Sequence, residues 1–197
     1  MAELVAKVLE CPQCGAPVKP NSKTCDRCYS QYIITSVSSL KKFDDSAIKK
    51  YLSAYESSLK SGGESAELFT AMGICQLQRG LYKFANNYFD KAIALLPEEG
   101  ETYYYAALAL LNGKRPFLSS LPVIKKATEY LQLAAELSGQ GSYYYLHHLI
   151  HKDYYEKRKL KCSPTSAELL EMSLAHGLSD ADSDEIHRLV GLEPVQQ

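Results

Sequence analysis

Four cysteines fall into two Cys-x-x-Cys pairs, Cys11-Pro-Gln-Cys14 and Cys25-Asp-Arg-Cys28. A two-residue gap lets one tight turn present two sulfurs to a single ion, and Gly15 supplies permissive backbone just past the second of them. The ten residues between the pairs leave room for a short hairpin stiffened by Pro17 and Pro20. A segment this small cannot bury a core of its own, so a metal would have a clear purpose there. A tetrahedron of four thiolates has no open position, which makes such a site structural rather than catalytic. A redox pair would need a βαβ setting that the sequence lacks. Disulfides suit a secreted chain, but the other two cysteines, Cys75 and Cys162, stand alone in helical patterns. This usage points to a reducing compartment, and the expected location is the cytoplasm.

The segment resembles the short zinc ribbons, whose pattern is Cys-Pro-x-Cys-Gly followed by a second Cys-x-x-Cys. The resemblance implies one structural zinc ion on Cys11, Cys14, Cys25 and Cys28, within a small β unit. The gap between the pairs is shorter than rubredoxins use, which disfavours iron. A β-rich run, Tyr32, Ile33 and Ile34, offers an extension of the ribbon. Metal binding worth roughly 10–16 kcal/mol would fold such a segment.

From Asp45 onward the periodicity is helical. Ile48, Tyr51, Leu52, Tyr55 and Leu59 form one apolar stripe that Gly62 and Gly63 end. Further helices are expected over 65–78 and 82–96, the second stopped by Pro97. Phe69, Met72 and Gly73 on the first and Ala85, Phe89 and Ala92 on the second make residues 66–99 resemble a tetratricopeptide repeat (TPR) over its full length. Gly73 and Ala85 are small where two helices would cross closely. Gln76 is a departure, because a large apolar residue is usual there. Tyr103 follows Phe69 by 34 residues, with Ala106, Ala107 and Leu110 beside it. Ala127, Leu131 and Ala134 form its second helix beyond an insertion around Pro116 and Pro122. Tyr143, Leu146 and Ile150 repeat the first-helix pattern, with His147 at a position that is usually small. The expected fold is therefore mostly α: an N-terminal zinc ribbon followed by a TPR-like α-solenoid of antiparallel helix pairs. The expected division is ribbon and linker over 1–43, repeats over 44–162, and C-terminal capping helices with an acidic tail over 163–197. One capping helix is expected to start at Ser163-Pro164 and run to about Ala175, the last to run from about Ser183 to Val190.

The TPR resemblance implies a protein-binding groove lined by first-helix positions. Carried over residue by residue, these are Tyr104, Tyr105, Leu108 and Asn112 in the second repeat, and Tyr144, Tyr145, His148, His151 and Lys152 in the third. The first repeat contributes Thr70, Ala71 and Ile74. Thr70 and Ile74 stand where chaperone-binding relatives carry polar clamp residues, so that activity is not expected. His147 and His151 have the i, i+4 spacing of a metal pair, but no good third ligand accompanies them, and packing roles are expected instead.

Charge excludes little. The net charge is −1, which gives no global footprint for nucleic acid. Locally, residues 152–161 carry five cations and two carboxylates, and 165–197 carry seven carboxylates and one Arg. Residues 1–43 carry Lys7, Lys19, Lys23, Arg27, Lys41 and Lys42 against Glu3, Glu10 and Asp26. No apolar run is long enough to span a bilayer, and no phosphate loop, nucleophile set or metalloprotease motif occurs. Two functions follow: a non-enzymatic adaptor that holds a partner protein in the groove, or a nucleic-acid-binding regulator that uses the ribbon and basic patches. Repeat stacking between chains leaves homo-oligomers open.

Overall fold

The computed structural model describes residues 8, 10–18, 22–62 and 64–193. Glu3, Lys7, Lys19, Pro20 and Gly63 of the sequence argument lie outside them. The chain divides into two compact units, Met1–Leu96 and Pro97–Gln197.

In the first unit the cysteine knuckles precede α1 (Asp45–Gly62), α2 (Ala66–Gln78) and α3 (Tyr82–Leu95). The knuckles hold two isolated antiparallel bridges, Glu10 with Pro17 and Thr24 with Gln31. No strand forms among the described residues, so the expected small β unit is present only as those two bridges. The physical reason is that each knuckle spends its backbone groups on the turn around its sulfurs. Tyr32 and Ile34 are buried as core side chains rather than extending a ribbon.

α2 is buried nearly all round, with Leu68, Phe69, Met72, Ile74 and Leu77 covered, as expected of a helix without a polar face. Ser65 caps it, its side chain accepting the Leu68 N–H at 3.3 Å. α3 packs against α2, and the crossing is tight at Gly73. A Cβ there would sit 2.4 Å from Cε1 of the fully buried Phe89 ring. Gln76 is accommodated by a polar chain: Arg79 donates to its side-chain oxygen at 3.0 Å and to Asp45 of α1 at 2.6 Å.

The second unit holds α4 (Gly100–Leu110), α5 (Leu121–Ser138), α6 (Gly141–Ile150), α7 (Ser166–Ala175) and α8 (Asp180–Leu189). α4 pairs with α5, and α6 pairs with α7. α7, expected as part of a cap, is thus the partner of α6, reached through a π-helical turn over His151–Glu156. The start of α6 lies tight against the end of α7 and the turn after it, where a Cβ on Gly141 would lie 2.5 Å from both the Ser173 carbonyl and the Leu178 nitrogen. Both last helices start at capping boxes. Thr165 and Glu168 cap α7, so Pro164 precedes the helix instead of opening it. Ser179 and Asp182 cap α8, which places its start at Asp180 rather than near Ser183. Asp180 and Asp182 also suit the positive end of the helix dipole.

Candidate functional site

The four sulfurs of Cys11, Cys14, Cys25 and Cys28 lie within 4.8 Å of one another. Cys11 and Cys28 are 3.5 Å apart, and Cys14 and Cys25 are 3.6 Å apart. A disulfide would require about 2.05 Å. Thiolates at about 2.3 Å from a tetrahedral zinc ion stand about 3.8 Å apart, close to the spacing here.

The two knuckles repeat one design. Gly15 N–H donates to the Cys11 carbonyl at 2.9 Å, and Cys11 N–H to the Ala16 carbonyl at 2.7 Å. Tyr29 N–H donates to the Cys25 carbonyl at 2.8 Å, and Cys25 N–H to the Ser30 carbonyl at 2.9 Å. The residue past the second cysteine takes a left-handed conformation each time, with φ of 68° at Gly15 and 57° at Tyr29. Backbone donors also face sulfur: Arg27 N–H lies 3.4 Å from Sγ of Cys25. Backbone bonding around Ser30 holds the Cys28 thiol down to about 6. Burial pushes the Cys11 thiol up to about 12. Four soft donors with N–H support fit a four-coordinate metal ion, and they leave it no open position.

Helix α1 braces this centre. The Tyr51 hydroxyl donates to the Gln31 carbonyl at 2.9 Å. The Tyr55 hydroxyl accepts the Ile34 N–H at 2.9 Å and donates to the Tyr32 carbonyl at 3.2 Å. Both tyrosines are fully buried. Their spacing showed an apolar stripe, but nothing in the sequence marked their hydroxyls as braces for the knuckles.

The second candidate site is a cleft of about 720 Å³ in the second unit. Tyr145, His148, Leu149 and Lys152 line one wall, Leu170, Leu174 and Leu178 the next, and Asp180, Asp184 and His187 of α8 another. Of the nine expected groove residues, Tyr145, His148 and Lys152 therefore share one site. Tyr104, Tyr105 and Leu108 are buried on α4, while Asn112 is exposed beyond its end. Tyr144 is half-buried with its ring 4.7 Å from that of His176. His151 is buried, its Nδ1 donating to the Pro164 carbonyl at 2.9 Å. The expectation of one open groove is corrected accordingly. Past Glu101 and Thr102 in its first turn, α4 has no charged residue and no polar face, and a helix of that kind is covered nearly all round. In the first repeat, Ala71 and Ile74 are likewise buried.

Inside the cleft the rings are held in order. His148 Nδ1 donates to the Ser166 carbonyl at 2.7 Å, so in the neutral ring Nε2 is an acceptor. Burial pushes the His148 pKa down and favours that neutral form. His187 Nδ1 donates to the Glu193 carbonyl at 2.6 Å, and its Nε2 lies 3.0 Å from the Tyr145 hydroxyl.

Also in the cleft lining, the buried carboxylate of Asp153 accepts from Arg115, from Lys157 at 2.6 Å and from Phe117 N–H at 2.8 Å. Burial alone would raise its pKa, but these donors outweigh it and hold the group at about 2. The insertion around Pro116 is thereby fastened to the π-helical turn. Arg158 donates to the Phe117 carbonyl at 2.9 Å and stacks 4.6 Å from the Tyr154 ring centroid. Two cations of the basic run, Lys157 and Arg158, thus have structural partners. His147 and His151 meet edge-on at 4.4 Å. Among the described residues, the four cysteines are the group arranged to hold a metal.

No family model matches the chain, and no curated protein matches it. Among solved structures, the crystal structure of a thermophilic TPR protein in Thermus thermophilus is similar, with a TM-score of 0.56 at 18% identity. The similarity covers 73% of this chain and 73% of that one. No helix among the described residues is long and apolar enough to cross a membrane. The helical body has a TPR-like fold, preceded by four cysteines arranged to hold a metal ion.

Proposed function

We propose that the chain is a non-enzymatic adaptor whose TPR-like helix pairs hold a segment of a partner protein. One structural zinc ion on Cys11, Cys14, Cys25 and Cys28 fixes the knuckles against α1. The observation that carries the reading is the cleft, where Tyr145, His148 and Lys152 of the expected groove meet an apolar wall. Its volume lies within the range of ligand sites, and its lining combines leucines with a few oriented polar groups. Thiolate ligands support a reducing compartment such as the cytoplasm.

The test is affinity purification with the native chain, a Leu174→Gln variant and a Leu133→Gln variant. Leu174 is 62% exposed and lines the cleft, while Leu133 is 41% exposed on α5. The reading expects a partner that is lost with Leu174→Gln alone. A partner set unchanged by Leu174→Gln overturns it.

One observation favours nucleic acid as a second reading. Tyr29 is 80% exposed at the tip of a knuckle, close in the chain to the exposed Arg27 and Lys23. A flat ring beside cations suits stacking on an unpaired base. Titration with single-stranded RNA and DNA at low salt decides it, and absence of binding removes it.

A further inference from the structure

The cleft in the second unit has a chemical polarity that specifies its ligand. Its apolar lining is Leu149, Leu170, Leu174, Leu178 and Leu192. Leu174 lies largely open to solvent, although an isolated helix pair would gain by burying it. The polar groups on the α8 side are the carboxylates of Asp180, Asp184 and Glu193, the His187 ring and the Ser183 hydroxyl, which donates to the Asp180 carbonyl at 2.9 Å. Among the described residues neither Asp180 nor Asp184 has a cationic partner. Of the two buried imidazoles, His148 adds a free acceptor, its Nε2, and His187 adds neither donor nor acceptor. His148 has spent its Nδ1–H on the Ser166 carbonyl, and His187 has spent its own on the Glu193 carbonyl while Nε2 meets Tyr145. Of the lining cations, Lys157 is held by Asp153, which leaves Lys152.

The cleft therefore offers apolar contact and mainly hydrogen-bond acceptors, with Lys152 as the one lining cation not held by a carboxylate among the described residues. A ligand that fits must bring apolar side chains and positive charge together. We propose that the cleft receives a basic amphipathic segment of a partner protein. Its apolar side chains pack on Leu149, Leu174 and Leu178, and its Lys or Arg groups meet Asp180 and Asp184. The proposal rests on the adaptor reading and names the partner's chemistry. A guanidinium or ammonium supplies the cationic partner that these carboxylates do not have among the described residues. The complementary charge speeds encounter and rejects acidic segments.

The experiment is fluorescence anisotropy on the full chain with zinc bound. The probes are a labelled amphipathic peptide of Leu and Lys, the same pattern built of Leu and Glu, and a Gly and Lys peptide without Leu. The proteins are the native chain, Leu174→Gln, and the double variant Asp180→Asn with Asp184→Asn. All substituted residues except Leu174 are exposed polar groups, and circular dichroism checks that each variant is folded.

The expected result is saturable binding of the Leu and Lys peptide alone. Each variant should weaken it by about tenfold, the double variant with a reduced salt dependence. Equal binding of the Leu and Glu peptide overturns the proposal. So does binding that neither variant changes. If the Leu and Glu peptide binds and Leu174→Gln releases it, the basic specificity falls while the adaptor reading stands. If no peptide responds to Leu174→Gln and the purified partner does not either, both fall.

Discussion

Tyr55 reaches back to Ile34: its hydroxyl oxygen accepts the Ile34 N–H at 2.9 Å in a fully buried setting. A helix position that periodicity marks as apolar is thus a hydrogen-bonding brace for the segment that follows the cysteine knuckles. Tyr55→Phe should leave that N–H buried without a partner, which costs about 1–3 kcal/mol. Chemical denaturation of the chain, followed by hydrogen exchange at Ile34, checks the effect.

Metal removal should act on the same region. Each ligand must be a thiolate to bind, so affinity falls as pH falls and binding releases protons. A chelator should strip one zinc ion per chain, measured by native mass spectrometry. Exchange protection should then fall through the knuckles and α1, with the α4–α8 amides as internal reference. Cys11→Ser or Cys25→Ser should give the same exchange pattern without chelator.

Tyr29 adopts a backbone conformation that glycine takes at the matching place in the other knuckle. A left-handed conformation costs an L-residue roughly 1–2 kcal/mol, and the 80% exposed ring recovers little by packing. Tyr29→Gly loses chain entropy of about 0.5–1 kcal/mol in return. The net expectation is stabilisation of up to about 1.5 kcal/mol in thermal unfolding with zinc present.

The two close helix crossings should respond unequally to one added methyl. Gly73→Ala meets the Phe89 ring, a side chain, and overpacking of this kind costs about 1–3 kcal/mol. Gly141→Ala meets backbone atoms of Ser173 and Leu178, which cannot rotate away. Its cost should be the larger of the two in urea unfolding.

Acid should weaken the second unit from the histidine range downward. Burial, with His151 adding to it, pushes the His147 pKa down to about 3 from the usual 6.5, and its Nε2 has no partner. Such a base stays neutral when folded but takes a proton when unfolded. Its stability contribution is full above about 6.5 and is lost towards about 3, at up to about 1.4 kcal/mol per pH unit. Asp153, held at about 2 against an ordinary 3.8, adds its own loss only between about pH 4 and pH 2. His147→Leu should flatten the stability curve between pH 6 and pH 4, in urea titrations at about four pH values. An unchanged slope would assign the acid response to other groups.

Much of this architecture was legible because close packing leaves a pattern. Phe69, Gly73, Ala85 and Phe89 announced a helix pair, and that pair packs as their sizes require. The cysteine spacing likewise placed four sulfurs together. What was not legible depended on what covers what. Periodicity placed Tyr104, Tyr105 and Leu108 on a helix face but could not tell a groove from a buried layer. The lack of a polar face on α4 past its first turn was the signal that would have separated them. The pairing of α6 with α7 was hidden by the intervening π-helical turn, and His147 obscured the repeat pattern there. The start of α8 was readable in Ser179 and Asp182, whose spacing is that of a capping box. Asp153 gave no sign, because its partner Arg115 comes from a distant insertion.

The central claim is that a partner segment lies in the cleft of the second unit. A photo-crosslinking amino acid placed at Leu174, and separately at Leu133 on α5, tests it in the native cell. The account predicts a discrete protein adduct from position 174, absent from position 133, whose linked peptide is basic and amphipathic. Equal adducts from both positions, or none from 174, would contradict it.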